Sequence, residues 1–315
     1  MTDTRHLFSV ALVLAALVPG GREVAAAGDR AQDRMTSQQI GVFLRSMGRE
    51  EPAEALPAVK AVGLDLIQIS RLPERFYTAQ GAQEFGRMMK AAGVRAASVV
   101  VVFDGESYRD LDAVEATVGF RPAHLLEARL AYARRCVDFA AALGLKIVTF
   151  HMGVLPKDPA DPTYKRMLDA VTTIAGYARE RGTSISLETG QETGDELARF
   201  LDAITVARVG VNFDIANFVL YGMDDPPNAL RRLMDRVTSI HVKDGLPPEG
   251  PRKLGREVRL GEGRGEVARC LEMLRDAGFT GPLVIENYVA RGLGTDPLDE
   301  LRKAKAFIEK TLGEK

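Results

Sequence analysis

The sequence predicts a single (β/α)8 TIM barrel, on three observations. Eight short apolar runs recur along the chain, stretches of helical period separate them, and glycines stand where several of those stretches end. The strand candidates are residues 40–44, 66–70, 97–103, 146–151, 184–189, 210–214, 238–242 and 283–287. Most are continuous apolar runs, the pattern of parallel strands covered on both faces. Between them, residues 124–143, 196–207, 228–236 and 267–277 carry apolar side chains at three- and four-residue intervals, which places those side chains on one helix face. Gly93, Gly144, Gly182 and Gly278 follow such stretches and supply the left-handed residue that ends a helix before the next strand. No change of composition or Pro/Gly/Ser-rich linker breaks the alternation, so residues 38–315 read as one domain. Eight units match a closed barrel, for which about 250 residues is typical. An open doubly wound sheet is the alternative, and no GxGxxG follows the first strand to favour it.

Lys and Arg total 42 against 43 Asp and Glu, so no net field attracts a polyanion, and a nucleic-acid partner is not expected. Cys136 and Cys270 have neither CxxC spacing nor a second pair, and read as packing residues. An apolar run over residues 7–18 behind Arg5, followed by Ala25-Ala26-Ala27, makes residues 1–27 a signal-peptide candidate. Its use would export the protein to the periplasm or beyond; a start at Met35 would leave it in the cytoplasm. The run falls short of the about 20 apolar residues of a membrane span, so stable membrane insertion is not expected.

The chemistry collects where strands end, because in a barrel these residues face the C-terminal mouth. Glu188, Asp214, His241 and Glu286 close four consecutive strand candidates. Each carboxylate alone is as well explained by a helix N-cap. Brought together without a cation, the three carboxylates would repel one another and lose hydration, and a divalent metal resolves both costs. A shell of oxygens with one nitrogen suits Mn²⁺, Mg²⁺ or Co²⁺, with Zn²⁺ the weaker fit. His151, Asn217 and Lys243 also stand at strand ends and are candidates to face a substrate. Residues 246–259, with Pro247, Pro248 and Pro251, are expected to form a loop over the mouth, with Arg259 as a contact for a substrate hydroxyl or phosphate.

Three segments carry a resemblance: Ser239-Ile240-His241-Val242-Lys243-Asp244-Gly245, Leu260-Gly261-Glu262-Gly263-Arg264-Gly265 and Leu283-Val284-Ile285-Glu286-Asn287. With Glu188 and Asp214 ahead of them, they resemble the sugar isomerases and epimerases of the xylose isomerase-like barrel superfamily, from about residue 38 to the end. The resemblance implies that Glu188, Asp214, His241 and Glu286 hold the metal and that Glu188 and Glu286 also serve as the acid/base pair. The chain departs from some ketose epimerases of the superfamily, which have a His where Asn217 stands. The expected substrate is a small sugar with an α-hydroxy ketone or aldehyde. Its enediolate, stabilised by the metal, would be reprotonated on the other face (epimerisation) or at the neighbouring carbon (isomerisation). Dehydration of a keto-sugar or keto-cyclitol is a second reading, and a non-catalytic sugar-binding barrel a third. A DNA-repair endonuclease of the same barrel type needs many histidines, and this chain has 4.

Overall fold

The apolar runs form the barrel strands β1 (Ile40–Phe43), β2 (Leu66–Ser70), β3 (Arg95–Val100), β4 (Ile147–Phe150), β5 (Ser184–Glu188), β6 (Gly210–Asp214) and β7 (Val237–Val242). Two short strands, β8 (Asp244–Leu246) and β9 (Arg256–Val258), come before the last barrel strand, β10 (Leu283–Ile285). The computed structural model describes residues 35–36 and 39–313, so the signal-peptide candidate lies outside the described residues. The barrel closes in the order β1-β10-β7-β6-β5-β4-β3-β2, with every neighbouring pair parallel. Among the described residues no helix is long and apolar enough to cross a membrane.

Local chemistry sets the helices that cover the barrel. Thr78 caps α2 (Ala79–Ala92) and Asp161 caps α5 (Pro162–Glu180), whose first residue is a proline already fixed in a helical φ. Thr193 and Glu196 form a reciprocal capping box on α6 (Gly194–Asp202). At the other ends Gly93, Gly144, Gly182 and Gly278 take φ of 66°, 73°, 70° and 70°, as the sequence predicts. The expected helix over 196–207 stops at Asp202, because Ile204 and Val209 leave the helix path to bury themselves in the core. The third strand begins two residues earlier than expected and ends at Val100. Beyond it the chain leaves the sheet and sends Phe103 into a cluster with Phe120 and Phe150, at centroid distances of 5.5 and 6.4 Å.

Residues 246–259, expected as a plain loop, contain the second half of an antiparallel ribbon in which Asp244, Gly245 and Leu246 pair with Val258, Glu257 and Arg256. Asp244 fixes its base. The buried carboxylate accepts the backbone N–H of Gly245, Gly261, Gly263 and Gly265 at 2.8 to 3.0 Å, and so ties the two glycine-containing motifs together. A Cβ on Gly263 would stand 2.1 Å from that carboxylate, which explains why the segment is glycine-rich. Asp244→Ala would orphan these donors at about 1–3 kcal/mol each. The expected result is a loss of several kcal/mol in urea unfolding; a change within about 0.5 kcal/mol, the range of a neutral surface substitution, would refute this role.

Candidate metal centre

Register delivers the cluster to one level of the barrel mouth. Asp214, the last residue of β6, pairs with His241 of β7, and Val284 of β10 pairs with His241 from the other side, two residues before Glu286. Glu188 ends β5. All four side chains are buried, and one donor atom from each lies within 4.8 Å of the others.

The focus is a single ring nitrogen. His241 Nδ1 lies 2.9 Å from Glu286 Oε2, 3.1 Å from Glu188 Oε1 and 3.5 Å from Asp214 Oδ2. Nδ1 has at most one proton to share among three carboxylates. On the far side of the ring, Nε2 lies 2.5 Å from Gln68 Oε1 on β2, so Nε2 carries a proton and donates it. That bond fixes the tautomer which turns a lone pair on Nδ1 toward the carboxylates once its own proton is lost. The donor set, one imidazole nitrogen and three converging carboxylate oxygens, fits a hard divalent cation.

Neighbouring charges moderate the crowding. Lys243 Nζ lies 2.7 Å from Asp214 Oδ2 and 2.9 Å from Glu286 Oε2, and His151 Nε2 lies 3.2 Å from Glu188 Oε1. Burial alone would raise both glutamate pKa values. His151 and His241 instead hold Glu188 well below the usual carboxylate range, and Lys243 with His241 brings Glu286 to about 2. Reciprocally, burial works against protonated His241, yet Glu188 and Glu286 keep it protonated well above the usual imidazole range.

Above the cluster opens a cavity of about 380 Å³ whose lining includes Tyr108, His151, Asn217, Tyr221, Lys243 and Tyr288. Three of the four expected substrate-facing residues therefore reach it, although Asn217 Nδ2 is committed to the carbonyl of Thr189 at 2.9 Å. Arg259 is not among the lining residues. It makes a two-pronged ion pair with buried Glu300, at 2.7 and 2.9 Å, and holds that carboxyl at about 2. Arg259 thus ties the ribbon end to α11 (Pro297–Leu312) instead of reaching the mouth. Sequence reasoning missed Gln68, although a polar residue inside Leu66-Ile67-Gln68-Ile69 is a visible signal. It also missed Glu106 and Glu257, which line the cavity.

The model of the xylose isomerase-like TIM barrel family matches residues 56–311. The chain belongs to that family. Within it, a xylose isomerase domain protein from Planctomyces limnophilus is 30% identical over 87% of this chain and 98% of its own, with a TM-score of 0.77. A xylose isomerase-like TIM barrel protein from Mycobacterium smegmatis, solved in complex with magnesium, shares the fold at 21% identity, over 82% of this chain and 87% of that one, with a TM-score of 0.63. A putative L-ribulose-5-phosphate 3-epimerase from Shigella dysenteriae is 30% identical over 96 residues, 30% of this chain and 31% of that relative. The chain thus spans under a third of the length of the curated relatives it matches.

For this member of the family, a divalent cation entering the cluster would have to displace a proton from His241, so apparent affinity for Mn²⁺ should fall as pH drops below the raised imidazole pKa. Calorimetry in buffers of different ionisation enthalpy should register the released proton, and pH-independent affinity would contradict the arrangement. Gln68→Leu should weaken Mn²⁺ binding about 10–100-fold by freeing the ring. Unchanged affinity would deny Gln68 an orienting role.

Proposed function

We propose that the protein is a divalent-metal-dependent sugar isomerase or epimerase that moves a proton at the carbon beside a carbonyl. The observation that carries this reading is the placement of two buried glutamates, Glu188 and Glu286, at 3.1 and 2.9 Å from the same His241 nitrogen, both lining one cavity. Glu188, Asp214, His241 and Glu286 would hold the ion. When bound, the metal would polarise the substrate's carbonyl and adjacent hydroxyl oxygens.

The chain's own residues then account for proton movement. Both glutamates are ionised, and so each is ready to accept a proton from carbon. They come from the end of β5 and from just after β10, strands that are not neighbours in the barrel, and so approach a planar intermediate from different directions. One glutamate takes the proton, and the other, after gaining a proton from solvent, returns it on the opposite face, which inverts the carbon; return to the adjacent carbon gives aldose–ketose isomerisation. Lys243, buried, and His151, partly buried, offset the carboxylates' charge and would donate hydrogen bonds to substrate oxygens. The epimerase names borne by relatives support the same class.

The test is solvent exchange. Protein loaded with Mn²⁺ and incubated in D₂O with ketoses and aldoses should place deuterium on a carbon next to the carbonyl. Glu188→Gln and Glu286→Gln should each slow this about 10²–10⁴-fold, the range for loss of a positioned acid or base. Wild-type exchange that survives both substitutions would overturn the assignment.

A further inference from the structure

Beneath the cluster the inside of the barrel is polar, where such barrels are ordinarily filled by branched apolar side chains. Side chains two residues apart on a strand share a face, so Ser186, Asn212 and Ser239 stand one step below Glu188, Asp214 and His241. Thr149 stands likewise below His151 and pairs with Ser186 in register. Ser98 pairs with Gln68, whose amide reaches His241. Six of the eight barrel strands thus give this level a hydroxyl or an amide, and all six side chains are buried.

Side chains alone do not satisfy this level. Ser239 Oγ donates to Asn212 Oδ1, and Ser186 Oγ meets Thr238 Oγ1 at 2.7 Å. Gln68 Nε2, Ser98 Oγ, Thr149 Oγ1 and Asn212 Nδ2, all buried, have no hydrogen-bond partner among the described residues. Buried polar atoms are rarely left so, and four on one level call for a bound partner. From the N-terminal face a cavity of about 220 Å³ leads up to them, lined by Ser98 and Ser239 together with Leu66, Ile147 and Pro282 at the strand starts. Among the described residues that line it, Arg95 alone is charged, and that side chain is exposed and paired with Asp65 at 3.3 Å. The orphaned atoms belong to two amides, which donate, and two hydroxyls, which do either. A small uncharged ligand that both accepts and donates fits them, and water is that ligand.

We propose that this level binds an ordered cluster of water molecules, reached from the N-terminal face, and that the water accepting from Gln68 Nε2 holds the Gln68 amide in the orientation that fixes the His241 ring. A side-chain amide can turn over and present Nε2 instead of Oε1 to the imidazole. With an acceptor on Nε2, turning over breaks two hydrogen bonds instead of one. Gln68 is thereby a positioning residue, and Ser98 and Thr149 act on the cation site from one level below it. The inference uses the four-residue cluster and not the sugar chemistry proposed above, so each can fail alone.

The experiment compares wild type with Thr149→Val, which removes a hydroxyl at nearly constant volume, with Thr149→Ser, which keeps it, and with the double variant Ser98→Ala/Thr149→Val. Crystal structures should show water within hydrogen-bond distance of all four orphaned atoms in wild type, and the water on Thr149 Oγ1 should be missing from Thr149→Val. Thermal unfolding supplies a sign. A hydrated hydroxyl makes Thr149→Val less stable than wild type, whereas a dry one makes it more stable, because the substitution then removes an unmet polar group. Mn²⁺ affinity by calorimetry should fall about 10-fold in the double variant, the low end for groups that orient a metal ligand, and hold at the wild-type value in Thr149→Ser. A stabilised Thr149→Val with no water density at this level in wild type would overturn the proposal. Water in place, with Mn²⁺ affinity unchanged in the double variant, would overturn the link to His241. Should the double variant not fold, Thr149→Val and Thr149→Ser decide by the same measurements.

Discussion

Three carboxylates converging on one buried imidazole nitrogen are the constraint around which the mouth of this barrel is arranged. Gathering like charges away from water is costly, and the fold offsets it with positive groups just beyond β7 and β4. Lys243 bridges Asp214 and Glu286, and His151 meets Glu188. These contacts leave the cluster compact and ionised, with His241 held in its protonated form. The protein's own charges thus hold together a geometry that a divalent cation could enter by replacing a proton.

The clustering of these four side chains was legible in the sequence for a physical reason. Parallel strands covered on both faces are apolar, so Glu188, Asp214, His241 and Glu286 stand out, and the barrel topology dictates that strand ends meet at the mouth. Gln68 carried the same signal in a weaker form, as an uncharged residue inside an apolar strand whose partner lies 173 residues away. Arg259 was misread because its partner Glu300 sits 41 residues further on, and nothing local in the sequence reveals that pairing. Glu257 was illegible because it lies in a Pro- and Gly-rich segment without periodicity, where only the ribbon pairing shows which way the chain turns.

The segments that carry the family resemblance divide between chemistry and construction. His241, Lys243 and Glu286 belong to the site, whereas Asp244 and the glycines of residues 261–265 build the base of the ribbon. Recurrence of such a motif in a chain thus points to a shared platform as much as to a shared reaction. Beside that platform, Leu254 and Glu257 form part of the cavity wall.

Asp214 is the point where these two kinds of duty meet in one side chain. Its Oδ1 accepts the Asn217 N–H and so caps α7 (Ile215–Leu220), while Oδ2 faces Lys243 and His241. The far end of α7 presents the Leu220 carbonyl that anchors Gly255 of the ribbon. A longer acid at this position would have to abandon either the helix or the cluster, because a single extra methylene cannot keep both oxygens in register. Change at the mouth is thereby channelled, because a residue that joins the cluster to the frame of the ribbon is held to a single length.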